Sequence, residues 1–365
     1  MARVLMIGGY LPDDFRTGGG QLIGCKIAQA LARQGHQIEY RALPTSKGTQ
    51  GYLPNAAHFR SGHILQEILQ PIRQKEEGYD LVHLHEGDET WGASVGYSLF
   101  KKQRKLVVGF YAPEAHRIPK SVAEMARRFA VRRADRVFAL SQYSRQNIAS
   151  AYGIPPSKID VIYGGVDLSF FSSTPPPEGS IRSLLFVGRL DGPGRQKGLD
   201  ILLEALPRIL TRHPVRLHVV GTGLGETSFK EQVGRLCVGD HVTFHGFVKH
   251  TDISPYYRNT DLVVLPSRRE SFGLVLAEAM ASSRPVVASN VGAIPEVVED
   301  SITGMLIPPD DPKACADAII SLLDDPDRMR EMGRKGQERV RASFTWEKVA
   351  ERVSAGYKRL LEESL

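Results

Sequence analysis

Short apolar runs alternate with longer segments of helical period along almost the whole chain. "RVLMIGG" precedes the helical "GQLIGCKIAQALARQGH", and "QIEYRAL", "DLVHLHE", "KLVVGFY" and "RVFALS" follow. After residue 180 the alternation restarts with "SLLFVGRL", "GLDILLEALPRILTRHP", "VRLHVVG", "HVTFHGFV", "DLVVLPS", "FGLVLAEAMASS" and "PVVAS". Strands that stay apolar from end to end, set between helices, predict parallel sheets covered on both faces. Gly35 after the first helix and Pro214 after "RILTRH" are the punctuation expected of helix ends. The pattern predicts an α/β protein of two doubly wound, Rossmann-like domains facing each other across a cleft, with ligands beyond the carboxyl ends of the strands. Between the halves, "FFSSTPPPEGSIRS" makes a poor helix and a poor central strand. It puts the boundary near 172–180, with a first domain over 1–173 and a second over 178–348. A last helix, about 346–365, carries an apolar stripe of Val349, Val353, Tyr357, Leu360 and Leu361. The halves share a pattern but no sequence repeat.

Composition narrows the class. The 365 residues are 42% apolar and 24% charged, as in a soluble globular protein. No apolar run approaches the roughly 18 residues of a membrane span, and "MARVLMIGGYLP" reads as a first strand rather than a signal peptide. Cys25, Cys237 and Cys315 lie too far apart for a metal spacing or a disulfide framework, which fits the reducing cytoplasm. A net charge of +6 and a pI near 9.1 favour anionic partners. Nucleic acid is not expected among them, because the chain has no nucleic-acid motif, basic tail or aromatic–basic interleaving. The basic segment 121–136, "SVAEMARRFAVRRADR", is either a solvated face or a peripheral contact with an anionic membrane surface.

Candidate chemistry gathers just after strands. In "LVVLPSRRESFGLVLAEAM", a helix should begin near Ser271–Phe272–Gly273, where unpaired amides and the positive helix end suit a phosphate. Glu270 stands before that helix and Glu278 about two turns into it. Both can face one ligand, and a carboxylate can accept hydrogen bonds from both hydroxyls of a ribose. The alternative makes Glu270 a helix-dipole partner and Glu278 a surface acid. Arg189 follows the strand of "LLFVGRL" and Lys197 precedes the next helix. Two cations there can neutralise a diphosphate leaving group, or are simply solvated. In "VVGTGLGE", Glu226 breaks the G-x-G-x-x-G pattern, so a dehydrogenase reading is poor and Gly221 marks a tight turn. The backbone of "FHGFV" at 244–248 can meet a nucleobase edge, or serve packing alone. "RTGGGQ" offers Gly18, Gly19 and Gly20 for close approach to phosphate or sugar, or a flexible loop. His83 and His85 share a strand face but lack a third metal ligand. The only D-x-D, Asp325–Pro326–Asp327, reads as a turn, so no metal site is expected.

Together "GRL…QKG", "GTG", "FHGF", "ESFGLVLAEAM", "RPVVAS" and "GAIPEVV" resemble glycosyltransferase family 4. The resemblance covers nearly the whole chain, is densest from 184 to 310, and includes the E-x7-E spacing of Glu270 and Glu278. It implies the GT-B architecture and retaining transfer from a nucleotide-diphosphate sugar, without metal or cofactor. UDP comes first among donors, with GDP and ADP as alternatives. By resemblance, Glu270, Arg189 and Lys197 form the catalytic set and Glu278 holds the donor ribose. Ser271, Phe272, Gly273, Leu274, Gly221, Phe247 and Val248 surround the donor, with Gly19 and Gly20 as the opposite wall. Gly18, His85, Tyr111, Glu114 and His116 fall on the acceptor side. The acceptor itself, whether sugar, lipid-linked or small molecule, is not specified. "FTWEKVAERV" resembles the family's ending, in which the last helix, here 349–365, rejoins the first domain. Three departures stand out. Tyr111 occupies a position where members often carry histidine, with His116 as a substitute. "Gly164–Gly165–Val166–Asp167" replaces N-G-V-D. The Arg189–Lys197 loop is long enough for Arg195 to compete with Lys197. A nucleotide-sugar epimerase, a GT-B phosphorylase and a non-catalytic nucleotide-sugar binder are the other readings, although no cofactor lysine site for a phosphorylase is apparent.

Overall fold

A computed structural model describes residues 1–8, 19–42, 78–86, 91–100, 104–111, 122–171, 181–192, 194 and 196–363. Two compact units emerge, Met1–Gly165 with Trp346–Leu365, and Val166–Thr345. The proline-rich stretch expected to mark the boundary lies outside the described residues. The division comes earlier, at Val166, whose N–H donates to the Phe344 carbonyl at 2.8 Å. The second unit therefore opens and closes side by side, and Val166 also bridges Thr345. On the first unit, Gly165 lies so close to Trp346 that an added Cβ would sit 2.6 Å from the indole.

The first sheet contains β1 (Arg3–Gly8), β2 (Gln37–Ala42), β3 (Leu81–Glu86), β4 (Lys105–Phe110), β5 (Arg136–Ala139) and β6 (Ile159–Val161). Its order is β2-β1-β3-β4-β5-β6, with every pairing parallel. The second contains β7 (Arg182–Val187), β8 (Val215–Val220), β9 (Val242–Gly246), β10 (Leu262–Leu265), β11 (Val286–Ser289) and β12 (Met305–Ile307). It is also parallel throughout, in the order β12-β11-β10-β7-β8-β9. Each is a doubly wound, Rossmann-like sheet whose winding reverses between two neighbours: β1 and β3 in the first, β7 and β10 in the second.

Burial explains the unbroken apolar runs. Every residue of β10 and β11 is buried, as are the last five of β1. A parallel strand with helices over both faces has no solvent side to mark by alternation. The edge strand β9 is only half-buried.

The helix Trp346–Glu362 belongs to the first unit. Val349, Val353, Tyr357 and Leu360 are buried along it, while Leu361 lies at the rim. Gly356 brings the helix onto Phe138, where a Cβ would come within 2.8 Å of the ring.

Asp325–Pro326–Asp327, expected as a turn, starts the helix Pro326–Ser343. The Asp325 carboxylate accepts from the Arg328 N–H at 3.0 Å, and proline occupies the first helical position. Asp311 caps the helix Pro312–Leu323 in the same way.

Candidate functional site

A group of charged side chains in the second unit lies where its winding reverses. The loop after β7 carries Lys197, the loop after β10 carries Glu270, and the two strands are hydrogen-bonded neighbours. Lys197 Nζ donates to Glu270 Oε2 at 2.6 Å. The Glu270 side chain is 9% exposed and that of Lys197 23%. Close backbone approach makes this pairing possible. Gly198, just after Lys197, has φ +69°, and a Cβ there would lie 1.9 Å from the Pro266 carbonyl oxygen. Only glycine lets the two loops touch at that point. The Glu270 carbonyl accepts from the Ala293 N–H at 3.0 Å, which fixes its backbone from a third loop.

Arg268 joins the same loops, a connection that spacing in the sequence did not reveal. Its main-chain N–H donates to the Gln196 carbonyl at 2.7 Å. Its guanidinium grips Asp200 through two bonds of 2.9 and 2.8 Å and reaches Asp310 at 2.5 Å. Burial pushes the Asp200 carboxyl up, but the Arg268 bonds and the Gly194 N–H outweigh it and hold the group below the usual carboxylate range.

The helix expected from Ser271–Gly273 runs Leu274–Ala281, with Gly273 as a left-handed N-cap lacking a side-chain cap bond. Glu278 lies on it and is buried. The Tyr257 hydroxyl donates to Glu278 Oε2 at 2.7 Å, and His250 Nε2 lies 3.1 Å from Oε1. Burial, then the Glu278 carboxylate, drives the Tyr257 phenol well above its ordinary value, so it remains a donor. His250 stacks on Phe170, with ring centroids 5.8 Å apart. Glu278 is therefore not a surface acid, and Tyr257 and His250 are partners that the motif itself does not name. A carboxylate offers about four lone-pair sites, which leaves room for further donors.

The other expected donor residues are less uniform. Arg189 is 64% exposed and pairs with Asp191 at 3.2 Å rather than with the Lys197–Glu270 pair. Gly221 packs its backbone on the next loop, with its Cβ position 1.9 Å from the Gly188 carbonyl oxygen. Phe272 is core, packed against Phe344 at 5.5 Å between centroids. Ser271 is buried, Leu274 and Val248 are half-buried, and Phe247 is exposed.

In the first unit, Gly19 and Gly20 open the helix Gly19–Arg33. Gly18, Glu114, His116 and Arg195 lie outside the described residues. Tyr111 and His85, expected on the acceptor side, are turned into the core. His83 Nδ1 lies 2.6 Å from the Tyr357 hydroxyl and Nε2 3.1 Å from that of Tyr111. The His83 and His85 rings stack 4.5 Å apart. Burial, helped by His85, holds His83 well below the ordinary imidazole value, and burial alone takes His85 to about 3. Both are neutral at physiological pH. The arrangement ties the terminal helix to the sheet. Among the described residues no cluster of three or more His, Cys, Asp or Glu side chains could hold a metal ion.

Three arginines of the basic helix Val122–Arg133 donate to neighbouring main-chain carbonyls, while Arg132 and Arg133 remain exposed to solvent. Arg128 donates to Ala151 O at 3.0 Å, Arg132 to Tyr152 O at 3.0 Å and Arg133 to Ser98 O at 2.9 Å. The first two satisfy the carboxyl end of the helix Gln142–Tyr152. Among the described residues no helix is long and apolar enough to cross a membrane.

Two six-stranded Rossmann-like units in one chain match the GT-B architecture. Comparison with known proteins agrees. The family described as Glycosyltransferase Family 4 matches residues 17–170, and that described as Glycosyl transferases group 1 matches 181–325. A D-inositol 3-phosphate glycosyltransferase of Paenarthrobacter aurescens is 31% identical over 337 residues, covering 85% of this chain and 79% of that one. One from Segniliparus rotundus is 37% identical over 246 residues; that match takes in 63% of this chain and spans 54% of the relative's length. The solved structure of Anabaena HepE in complex with UDP and glucose superposes with a TM-score of 0.77 at 22% identity, over 98% of this chain and 100% of that one. The chain belongs to glycosyltransferase family 4.

Proposed function

We propose that the protein transfers a sugar, with retention of anomeric configuration and without a metal ion, from a nucleotide-diphosphate sugar to an acceptor hydroxyl. The observation that carries this reading is the Lys197–Glu270 pair, 2.6 Å apart at the reversal between β7 and β10. Doubly wound sheets bind nucleotides at that position. The ammonium of Lys197 takes the diphosphate, joined by the free amides at Gly273 and Leu274, so negative charge developing on the leaving group meets a fixed cation. Arg189 adds a second cation, because an exposed pair such as Arg189–Asp191 opens at little cost. Glu270, relieved of Lys197 by the phosphate, orients the donor sugar and stabilises positive charge at the anomeric carbon. Glu278, its plane set by Tyr257, accepts the ribose hydroxyls. In the transfer, the bond from the anomeric carbon to phosphate oxygen breaks and a bond to the acceptor oxygen forms on the same face. The acceptor proton passes to the departing phosphate. UDP is the first donor base to try, since HepE was solved with UDP and glucose, with GDP and ADP next. The names of the relatives make inositol 3-phosphate the first acceptor to try.

The test is turnover of UDP-, GDP- and ADP-sugars in EDTA and in magnesium, with the product anomer read by proton NMR. Transfer in EDTA with the donor's anomeric configuration retained is the expected result. An inverted product, or activity only with magnesium, contradicts it. Sugar release or isomerisation without any acceptor would favour an epimerase.

A further inference from the structure

Lys197 ends a glycine-rich loop after β7. Gly192, Gly194 and Gly198 all take positive φ (108°, 72° and 69°), and a Cβ at Gly194 would meet nothing within 4 Å. Packing therefore does little to choose the conformation at Gly194, and glycine is the residue with most conformational freedom to lose. Hydrogen bonds fix it instead. The Gly194 N–H donates to Asp200 Oδ2 at 2.9 Å, and the Gln196 carbonyl accepts from the Arg268 N–H at 2.7 Å. Asp200 in turn is gripped by both terminal nitrogens of Arg268, while Arg268 Nε reaches Asp310 beyond β12.

One residue thus fastens the loop of Lys197 on one side and lies two positions before Glu270 on the other. From this geometry we propose that Arg268 is the positioning residue of the site. With Asp200, it holds the glycine-rich loop so that the Lys197 ammonium stands against Glu270 and is in place for a diphosphate before one arrives. The fork geometry of arginine is required, because the two parallel bonds to Asp200 and the third to Asp310 leave three nitrogens used on two carboxylates. The second half of the proposal, concerning the diphosphate, rests on the role given to Lys197 above.

The test uses the full chain as Arg268→Ala, Arg268→Lys, Lys197→Met and the Arg268→Ala/Lys197→Met double variant. Two readouts are taken: affinity for UDP, GDP and ADP, and amide hydrogen exchange at Gly194, Gln196 and Lys197. Arg268→Ala should weaken the bound nucleotide about tenfold when Lys197 is present and less than about twofold when it is absent. Exchange at the loop amides should rise about tenfold or more, with Leu276–Ala281 unchanged. Arg268→Lys, which keeps the charge but not the fork, should fall between and guards against a variant that fails to fold. Equal losses of affinity in both backgrounds would overturn the inference, as would unchanged loop exchange. If Lys197→Met leaves nucleotide affinity untouched, the donor role of Lys197 falls. The exchange measurement then decides the loop-ordering role of Arg268 by itself.

Discussion

Two polar clusters, one in each unit, are kept in opposite ways. In the second unit the groups near the winding reversal are charged, half-exposed in part, and paired with one another: Lys197 with Glu270, Arg268 with Asp200. In the first unit one cluster, His83, His85, Tyr111 and Tyr357, is buried, with His83 hydrogen-bonded to both tyrosines. There the imidazoles are neutral. A charge at low exposure persists only with a partner, so it can change partners when a ligand brings a better one. A neutral buried cluster gains nothing from a charged ligand. Its bonds to Tyr357 serve to register the terminal helix on the sheet.

The sharpest way to break this contrast is acid, which should act first on the histidine cluster. The folded-state values of His83 and His85 are depressed, so the unfolded chain takes up protons first, near pH 6.5. The stability held by these groups is complete above about pH 6.5 and is lost as pH falls toward the folded values, about 3 for His85. Each histidine should remove about 1.4 kcal/mol per pH unit, so urea midpoints between pH 7 and 5 should drop steeply. Midpoints that stay flat to pH 5 would mean the pair is not held neutral.

Next in size are the effects at the charged pair. Glu270→Gln should lower turnover about 100-fold with little change in nucleotide affinity. Lys197→Met should weaken the nucleotide and remove about 2 kcal/mol of stability, because Glu270 is left buried with no cation. An equal loss of affinity in both variants would erase the division of roles.

Smaller again is Tyr257→Phe, which deletes one hydrogen bond to the Glu278 carboxylate and should cost about 1.5 kcal/mol in chemical denaturation. It should also weaken the nucleotide, since Glu278 loses the group that sets its plane. A loss of stability with unchanged nucleotide affinity would make Tyr257 structural only. The smallest effect belongs to Arg189→Ala. Its pair with Asp191 is exposed, so stability should change by less than about 0.5 kcal/mol while nucleotide affinity still falls.

Much of this architecture is legible in the sequence. A strand buried on both faces writes itself as an unbroken apolar run, as "LVVL" and "VVAS" do. The eight-residue spacing of Glu270 and Glu278 places both near one helix start. The partners of those acids are not legible, because they come from elsewhere in the chain: Tyr257 from a preceding helix, Lys197 from the loop after β7. Arg268 and Asp200 lie 68 residues apart, and nothing local marks them as a pair. Side-chain direction also escapes the one-dimensional pattern. Tyr111 follows a strand, where a ligand residue would stand, yet its hydroxyl turns inward to His83. Likewise Phe272, inside the most telling motif, belongs to the core, and Asp325 caps a helix where a turn was expected.

The central claim, that the Lys197–Glu270 pair marks a donor site needing no metal, is tested most directly by thermal unfolding with UDP, GDP and ADP in EDTA, for the native protein beside Lys197→Met. A nucleotide present at 100 times its dissociation constant should add about 2.7 kcal/mol of stability. The account predicts a clear shift with one of the three for the native protein, and one much reduced for Lys197→Met. Equal shifts in both proteins, or none in either at millimolar nucleotide, would contradict it.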